Sequence, residues 1–283
     1  MLSGNLLWVL CGTMLLGIAA GITGTFSFLQ KQSLVGDAAA HAALPGIALA
    51  FLLTGQKELP ILMLGAGITS ALSVYCIQWI VSFSKLKADA AIGLVLTVFL
   101  TVVNRSPLGN QSGLNNFIFG KAATMTKADL MWLFISATII ILVSLLLYKE
   151  WKLLIFDPVY AKGIGLPIEA LKATLTVLIV MTIVTGIQAV GVILMSALLI
   201  IPAASAKLWT KKLSSMLMLS AIIGGVSGIT GTFISAMRTG LSTGPIIVLV
   251  AAAIFFLSYF ISPSGQISKF RRKMQFRKQG ELG

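Results

Sequence analysis

The only histidine of the 283-residue chain, His41, follows Asp37 by four residues inside an otherwise apolar segment. On a helix this spacing places both side chains on one face. A carboxylate and an imidazole together suit Mn²⁺, Zn²⁺ or Fe²⁺ better than the softer Cu(I). Pro45 lacks the N–H that would bond the carbonyl oxygen of His41, so that oxygen becomes a third donor. The pattern therefore predicts a compact oxygen and nitrogen ligand set.

The depth of this pair in a membrane decides between its possible roles. Lys31 is expected near the cytoplasmic interface, and His41 follows ten residues later. At a helical rise this is about 15 Å, near the middle of a core about 30 Å thick. An ionisable residue there costs at least about 2.5 kcal/mol and marks a functional site by default. Metal contact is favoured over a structural pair and over a proton relay, and all three remain open.

The composition is that of an all-α polytopic membrane protein. Hydrophobic residues make up 57% and charged residues 10% of the chain, with a mean hydropathy of +0.99. Soluble domains carry roughly 25% charged residues, and a helical span needs about 20 apolar residues. We predict eight to nine transmembrane helices in a single transmembrane domain, 1–283, from the apolar stretches 6–28, 32–53, 60–84, 89–104, 129–148, 170–187, 189–206, 213–236 and 244–262.

The net charge of +13 reflects loops on one membrane side and does not indicate nucleic acid. With the segment 149–169 in the cytoplasm, 16 of the 21 lysines and arginines fall inside. This agrees with the excess of basic residues in cytoplasmic loops. The N-terminus is then outside, and the basic tail 263–283 lies inside against anionic lipid.

The prediction for the second half of the chain is a helix interruption and a short cytoplasmic helix. Pro202 frees the carbonyl of Leu198 as Pro45 does for His41, and both prolines are expected to break their helices. Gln188 and Ser196 are candidate path-lining residues, although hydrogen bonding between helices is the favoured role for both. A turn or interruption is expected near Gln188 and Gly191.

The longest cytoplasmic loop contains Phe156-Asp157-Pro158, with Ala161 and Gly165 following. Asp157 is predicted to cap a short helix that has Pro158 at its first position. Such a helix on the membrane face either docks a soluble partner or is an ordinary loop helix. The sequence has no G-x-x-x-x-G-K-[ST] phosphate loop, so we do not expect this chain to hydrolyse nucleotide or to be an enzyme.

Small residues recur at helix-packing spacing. Gly17 and Gly21 are four residues apart, as are Gly224 and Gly228. The hexapeptide at 21–26 also recurs at 228–233. Because small residues let helices approach closely, we interpret both stretches as packing seams.

From about residue 15 to 262 the chain resembles the permeases of metal-ion ABC importers, which take up manganese, zinc or chelated iron in bacteria. The matching pieces are Gly36 to Gly46, Lys87 to Gly93, Phe117 to Leu130, Phe156 to Pro158, and Val190 to Pro202. The first and last are the most specific. The resemblance implies a multi-pass protein of the bacterial plasma membrane.

The resemblance also implies partners and site residues. Two permease copies would pair around one path, each docking one cytoplasmic ATP-binding subunit, and an extracellular solute-binding protein would deliver the metal. Asp37 and His41 correspond to the polar pair in the path. Phe156, Asp157, Pro158, Ala161 and Gly165 correspond to the segment that couples to the ATPase.

The sequence leaves open which ion is transported and whether either of two competing functions applies. The absence of cysteine and of further histidine beside the pair favours Mn²⁺ over Zn²⁺ or iron, as cargo and not as a permanently bound cofactor. The first alternative is a secondary, proton-coupled metal transporter that needs no ATPase. The second is a membrane scaffold without a transport role.

Overall fold

The computed structural model describes residues 4–30, 33–55, 59–105, 120, 125–237 and 241–263. Within these residues the chain is helical throughout its regular structure. The helices are α1 (Gly4–Leu29), α2 (Ser33–Thr54), α3 (Leu59–Phe83), α4 (Ala88–Arg105), α5 (Lys127–Leu146), α6 (Tyr148–Phe156), α7 (Pro158–Gly163), α8 (Ile168–Val190), α9 (Val192–Trp209), α10 (Leu213–Met237) and α11 (Thr243–Ile261).

The nine long helices lie at the nine predicted stretches, which confirms the all-α polytopic fold. Counting only residues that the structure describes, six of them are long and apolar enough to cross a membrane: α1, α3, α5, α8, α10 and α11. The helices α2 and α9 contain shorter apolar stretches, Val35–Phe51 and Leu194–Trp209. The number of membrane crossings and the side on which each terminus lies stay predictions.

The predicted packing seams are present between α1 and α10. A methyl group added to Gly17 would overlap the carbonyl of Gly224, and one added to Gly21 would overlap the carbonyl of Ser220. The hydroxyl of Ser220 donates to the carbonyl oxygen of Gly21 over 2.8 Å. Glycine is required here because the two backbones touch. At these glycines the two helices are therefore in direct backbone contact.

Helix α1 is central to the bundle. It packs against α5, α8, α9 and α10, and its residues Leu16 and Phe26 are fully buried. Helix α2 packs on a different set of neighbours, α3, α4, α8 and α9. Helix α9 therefore contacts both α1 and α2, which places it between the centre of the bundle and the helix that carries Asp37 and His41.

The predicted interruption near Gln188 and Gly191 is one residue long. Gly191 has φ 93° and ends α8 while α9 begins at the next residue. The side chain of Met195 fills the space beside Gly186, so α9 folds back on α8. The backbone of Gly120, with φ 67°, packs against Val190 and Gly191. Gly120 thus lies at the same end of the bundle as this turn.

The structure corrects the expected helix breaks at Pro45 and Pro202. Both prolines lie inside continuous helices, α2 and α9. A proline removes one backbone hydrogen bond, but close packing on neighbouring helices holds the rest of the helix in register. Around Pro45 this packing is tight, since Leu44 and Ile47 are buried. The interruption in this part of the chain is at Gly191 instead.

Candidate metal path and coupling segment

Asp37 and His41 face the same side of α2, as their spacing predicts. Oδ1 of Asp37 is 3.7 Å from Nε2 of His41, which is too long for a hydrogen bond. A divalent ion binds such atoms at about 2.1 Å, so two ligands of one ion are at most about 4.2 Å apart. The observed separation lets both atoms contact the same ion without a change of backbone.

The pair is exposed on a stretch of helix that is otherwise buried. From Gly36 to Ala48, every residue except Asp37 and His41 is buried. The side chain of Asp37 is 37% exposed and that of His41 is 26% exposed. Burial of the other eleven residues shows that α2 is enclosed by its neighbours on every face but this one.

The faces of α2 that pack inside the chain lie away from the pair. The hydroxyl of Ser70 on α3 donates to the carbonyl oxygen of Ala39 over 2.7 Å, and Gly46 lies against the backbone of Gly65 on α3. At about 100° per residue, Ala39 and Gly46 lie roughly opposite Asp37. The carboxylate and the imidazole therefore point away from α3, on the face of this stretch that the other helices leave partly open.

The pair supplies two protein ligands. Among the described residues no group of three or more His, Cys, Asp or Glu side chains lies close enough to hold a metal ion. Divalent transition metals take four or more donors. An ion at this site would need donors beyond Asp37 and His41, from backbone carbonyls, from water or from another chain.

The other two candidate path residues are less informative. Ser196 is buried in α9 and is not without a partner. Gln188 lies in α8, and its side chain lies outside the described residues. The basic tail from residue 264 onward, Lys31, and the stretch 117–119 likewise lie outside them.

The predicted short helix after Asp157 is present as α7, with defined ends. Oδ1 of Asp157 accepts a hydrogen bond from the backbone N–H of Tyr160 over 3.0 Å, and Pro158 occupies the first position. Gly165, with φ 82°, ends the helix while Leu166 N–H donates to the carbonyl oxygen of Ala161. This is the Schellman arrangement that glycine favours.

The outer surface of this segment is apolar, although the sequence reads as a polar loop. Phe156 is 58% and Val159 82% exposed, and Tyr160 and Ile164 are both more than half exposed. Ala161 is fully buried beneath them. We call Phe156, Val159, Tyr160 and Ile164 the coupling surface. Sequence reasoning identified Phe156 alone, although alternation of apolar residues with Asp157, Lys162 and Gly163 was a usable signal.

Trp151 is a second feature that sequence reasoning missed. It lies in α6 between Glu150 and Lys152, in a stretch that reads as a charged loop, yet it is the largest fully buried side chain among the described residues. Its Nε1–H donates to the carbonyl oxygen of Leu171 in α8 over 3.2 Å. Trp151 and Leu154, three residues apart, form the buried face of α6.

Comparison with known proteins identifies the family. The model of the ABC 3 transport family matches residues 3–262. The chain belongs to the ABC 3 transport family. Membership confirms the resemblance stated from the motifs and the interpretation as a transport component in place of an enzyme. It also confirms a multi-pass bacterial membrane protein.

Individual relatives agree with this assignment. The chain is 45% identical to the manganese transport system membrane protein MntC of Bacillus subtilis, over 97% of this chain and 65% of that protein. It is 44% identical to the zinc transport system membrane protein TroC of Treponema pallidum, over 90% of this chain and 88% of that protein. The chain thus spans about two thirds of the length of the Bacillus relative.

A solved structure shares the whole fold. PsaBC from Streptococcus pneumoniae in complex with Fab superposes with a TM-score of 0.84 at 33% identity, covering 95% of this chain and 96% of that one. The long helices and their connections in this ABC 3 family member therefore follow a known arrangement.

Proposed function

We propose that this chain is the membrane-spanning permease of an ATP-driven importer for divalent transition-metal ions. The observation that carries the proposal is the exposure of Asp37 and His41 on a segment of α2 that is otherwise buried. An exposed carboxylate and imidazole, 3.7 Å apart within a membrane helix, form a contact point for a passing cation. The whole chain, 1–283, acts as one permease domain.

A second copy of the chain completes the site. The pair lies on the partly open face of α2 and offers two donors, so a two-fold axis close to α2 would bring two carboxylates and two imidazoles together. Homodimers with two-fold symmetry are the commonest assemblies and place the same surface of each copy face to face. Four donors of this kind match the requirement of a transition-metal ion.

The coupling surface is where a cytoplasmic ATP-binding subunit docks, one for each permease copy. The four large side chains exposed on this short segment form a hydrophobic surface patch. Such patches mark interaction sites. The ends of α7 are fixed by Asp157, Pro158 and Gly165, so the segment is presented as a rigid body. A groove of about 1150 Å³ runs beside it to the start of α8.

The charge distribution sets the orientation in the bacterial plasma membrane. The segment 149–169 and the tail 263–283 face the cytoplasm, the N-terminus lies outside, and eight or nine helices cross the bilayer. The turn at Gly191, with Gly120 packed on it, then faces the exterior. An extracellular metal-carrying solute-binding protein delivers the ion at that side.

Manganese is the favoured cargo over zinc. The pair consists of one carboxylate and one imidazole without a thiolate, which suits the harder Mn²⁺. Relatives named for manganese and a relative named for zinc both match the chain, so the names alone do not decide between the two ions. Competition between Mn²⁺, Zn²⁺ and Fe²⁺ for uptake decides the preference.

The experiment that tests the proposal uses liposomes that hold the chain, its ATP-binding subunit and its solute-binding protein. Metal uptake and ATP hydrolysis are measured for the natural chain and for Asp37→Ala and His41→Ala. We expect both variants to assemble and to hydrolyse ATP, but to lose uptake. Normal transport by both variants would show that the pair is structural.

The alternative of a proton-coupled secondary transporter is tested in the same liposomes without the ATP-binding subunit. Uptake by the chain alone, driven by a proton gradient, would replace the present proposal. Unchanged cellular metal content in an Asp37→Ala, His41→Ala double variant would favour the scaffold interpretation.

A further inference from the structure

Residues 21–26 of α1 contact four other helices. Gly21 packs on the backbone of Ser220 in α10, and Gly24 packs on the backbone of Leu199 in α9. The hydroxyls of Thr23 and Thr182 in α8 are 3.3 Å apart. Phe26 contacts Trp151 of α6. This six-residue segment of α1 is thus one of the places where α6 meets the helices of the membrane bundle.

The contact on the cytoplasmic side is made by Trp151. Its ring meets the ring of Phe26 edge to face, with centroids 4.9 Å apart, and both side chains are fully buried. Helix α6 continues through Asp157 into α7, and the coupling surface runs from Phe156 at the end of α6 to Ile164 just after α7. Because Trp151 is also hydrogen-bonded to Leu171, α6 cannot shift without moving α1 or α8.

The contact on the membrane side is made by Leu199. Its backbone lies against Gly24, and its Cδ1 would be 3.4 Å from a methyl group added at Gly36. Gly36 is buried and immediately precedes Asp37 in α2. Leu199 therefore touches α1 with its backbone and α2 with its side chain, one residue from the proposed metal ligand.

We propose that Trp151 and Leu199 are positioning residues that connect the coupling surface to the Asp37–His41 pair through α1. The contacts run from Trp151 to Phe26, along α1 to Gly24, across to Leu199, and then to Gly36. Every member is buried, and close-packed interiors transmit displacement because they have no free volume to absorb it. A movement of α6 imposed by a docked ATPase reaches the metal ligands along this line.

This inference rests on the proposed function, and its readout is the number of metal ions moved for each ATP hydrolysed. The liposome complex described above is prepared with Trp151→Leu, Trp151→Phe, Leu199→Ala and the double variant Trp151→Leu, Leu199→Ala. A merely structural residue would change the amount of assembled complex or its melting temperature without changing this ratio.

We expect Trp151→Leu and Leu199→Ala to keep ATP hydrolysis while the ratio of metal to ATP falls by about 2- to 30-fold, the range typical of residues in a coupling network. In the double variant this ratio should fall no further than in the single variant with the larger loss, because both substitutions interrupt one line of contacts. Trp151→Phe keeps an aromatic ring against Phe26 and should retain most of the ratio.

Two matched variants serve as controls. Trp8→Leu removes the other tryptophan–phenylalanine contact of α1, that with Phe134, whose ring centroid lies 6.3 Å away. Leu133→Ala truncates an equally buried leucine in α5. Both should leave the ratio unchanged.

A natural ratio in assembled Leu199→Ala and Trp151→Leu complexes would overturn the inference, as would a double variant whose losses multiply. If Trp151→Leu does not assemble, the inference is tested by comparing the ratio of metal to ATP in Leu199→Ala with that in its control, Leu133→Ala. Failure of the unmodified complex to move metal with ATP would instead refute the proposed function.

Discussion

Gly24 of α1 lies directly against the backbone of Leu199 in α9, with no space for a side chain between them. A methyl group at Gly24 would overlap both the carbonyl oxygen and the carbonyl carbon of Leu199. Neither atom belongs to a flexible side chain, so the overlap could be relieved only by separating the helices. The distance between α1 and α9 is therefore set by the absence of a side chain at one position.

Gly24→Ala should lower the stability of the folded chain by about 1–3 kcal/mol, as expected for overpacking. The measurement is the thermal unfolding midpoint in detergent. Gly67→Ala is the matched control, because Gly67 is also helical but a methyl group there would meet nothing within 4 Å. That control should be neutral or slightly stabilising, since alanine favours a helix over glycine. An unchanged midpoint in Gly24→Ala would contradict the close approach.

Gly120→Ala should destabilise more than Gly55→Ala. Both glycines have a positive φ, 67° and 66°, so alanine pays a similar backbone cost of about 1–2 kcal/mol at either site. A methyl group at Gly120 would also overlap the backbone of Val190, while one at Gly55 would meet nothing within 4 Å. The difference between the two unfolding midpoints measures this packing. Equal effects would mean that residue 120 does not pack on the α8–α9 turn.

Asp157→Ala should weaken binding of the ATP-binding subunit, whereas Asp157→Asn should not. The aspartate caps α7 through its bond to Tyr160 N–H, and alanine at such a position costs about 0.5–2 kcal/mol of helix stability, while asparagine caps as well as aspartate. Titration of the purified permease with its ATP-binding subunit provides the measurement. Equal weakening by both variants would show that the charge, and not the cap, is recognised.

Cysteine at position 41 should form cross-links between two copies of the chain. In a background with Cys11 and Cys76 replaced by alanine, His41→Cys is treated with a short bifunctional maleimide and analysed by denaturing electrophoresis. Ala42→Cys, one residue along the same helix, is the control because Ala42 is fully buried within its own bundle. A monomer band from both variants would contradict a two-fold axis beside α2.

Local sequence signals predicted the elements whose cause is local. An aspartate followed by a proline favours the start of a helix wherever the pair occurs. Helix α7 starts at Asp157 and Pro158 in this way. Close helix packing is predicted by glycines four residues apart, Gly17 with Gly21 and Gly224 with Gly228. All four lie in the seam between α1 and α10. The four-residue spacing of Asp37 and His41 was enough to place them on one face.

Other features depended on contacts between distant parts of the chain. Trp151 stands between charged residues, and its burial follows from Phe26, which lies 125 positions earlier in the chain. The exposure of Asp37 and His41 depends on which faces of α2 meet α3 and α9. Helices α2 and α9 are not broken at Pro45 and Pro202, because packing on neighbouring helices outweighs the local cost of proline. That packing cannot be seen in the local sequence.

The single-residue connection at Gly191 also constrains how the chain enters the bilayer. With no loop between α8 and α9, the two helices cannot insert into the membrane one after the other. The two must be inserted together as a hairpin, and a tag or protease site introduced between Val190 and Val192 would interfere with assembly from the outset. Loop engineering in this protein is better directed to the bend between Phe83 and Ala88, where α3 ends before α4 begins.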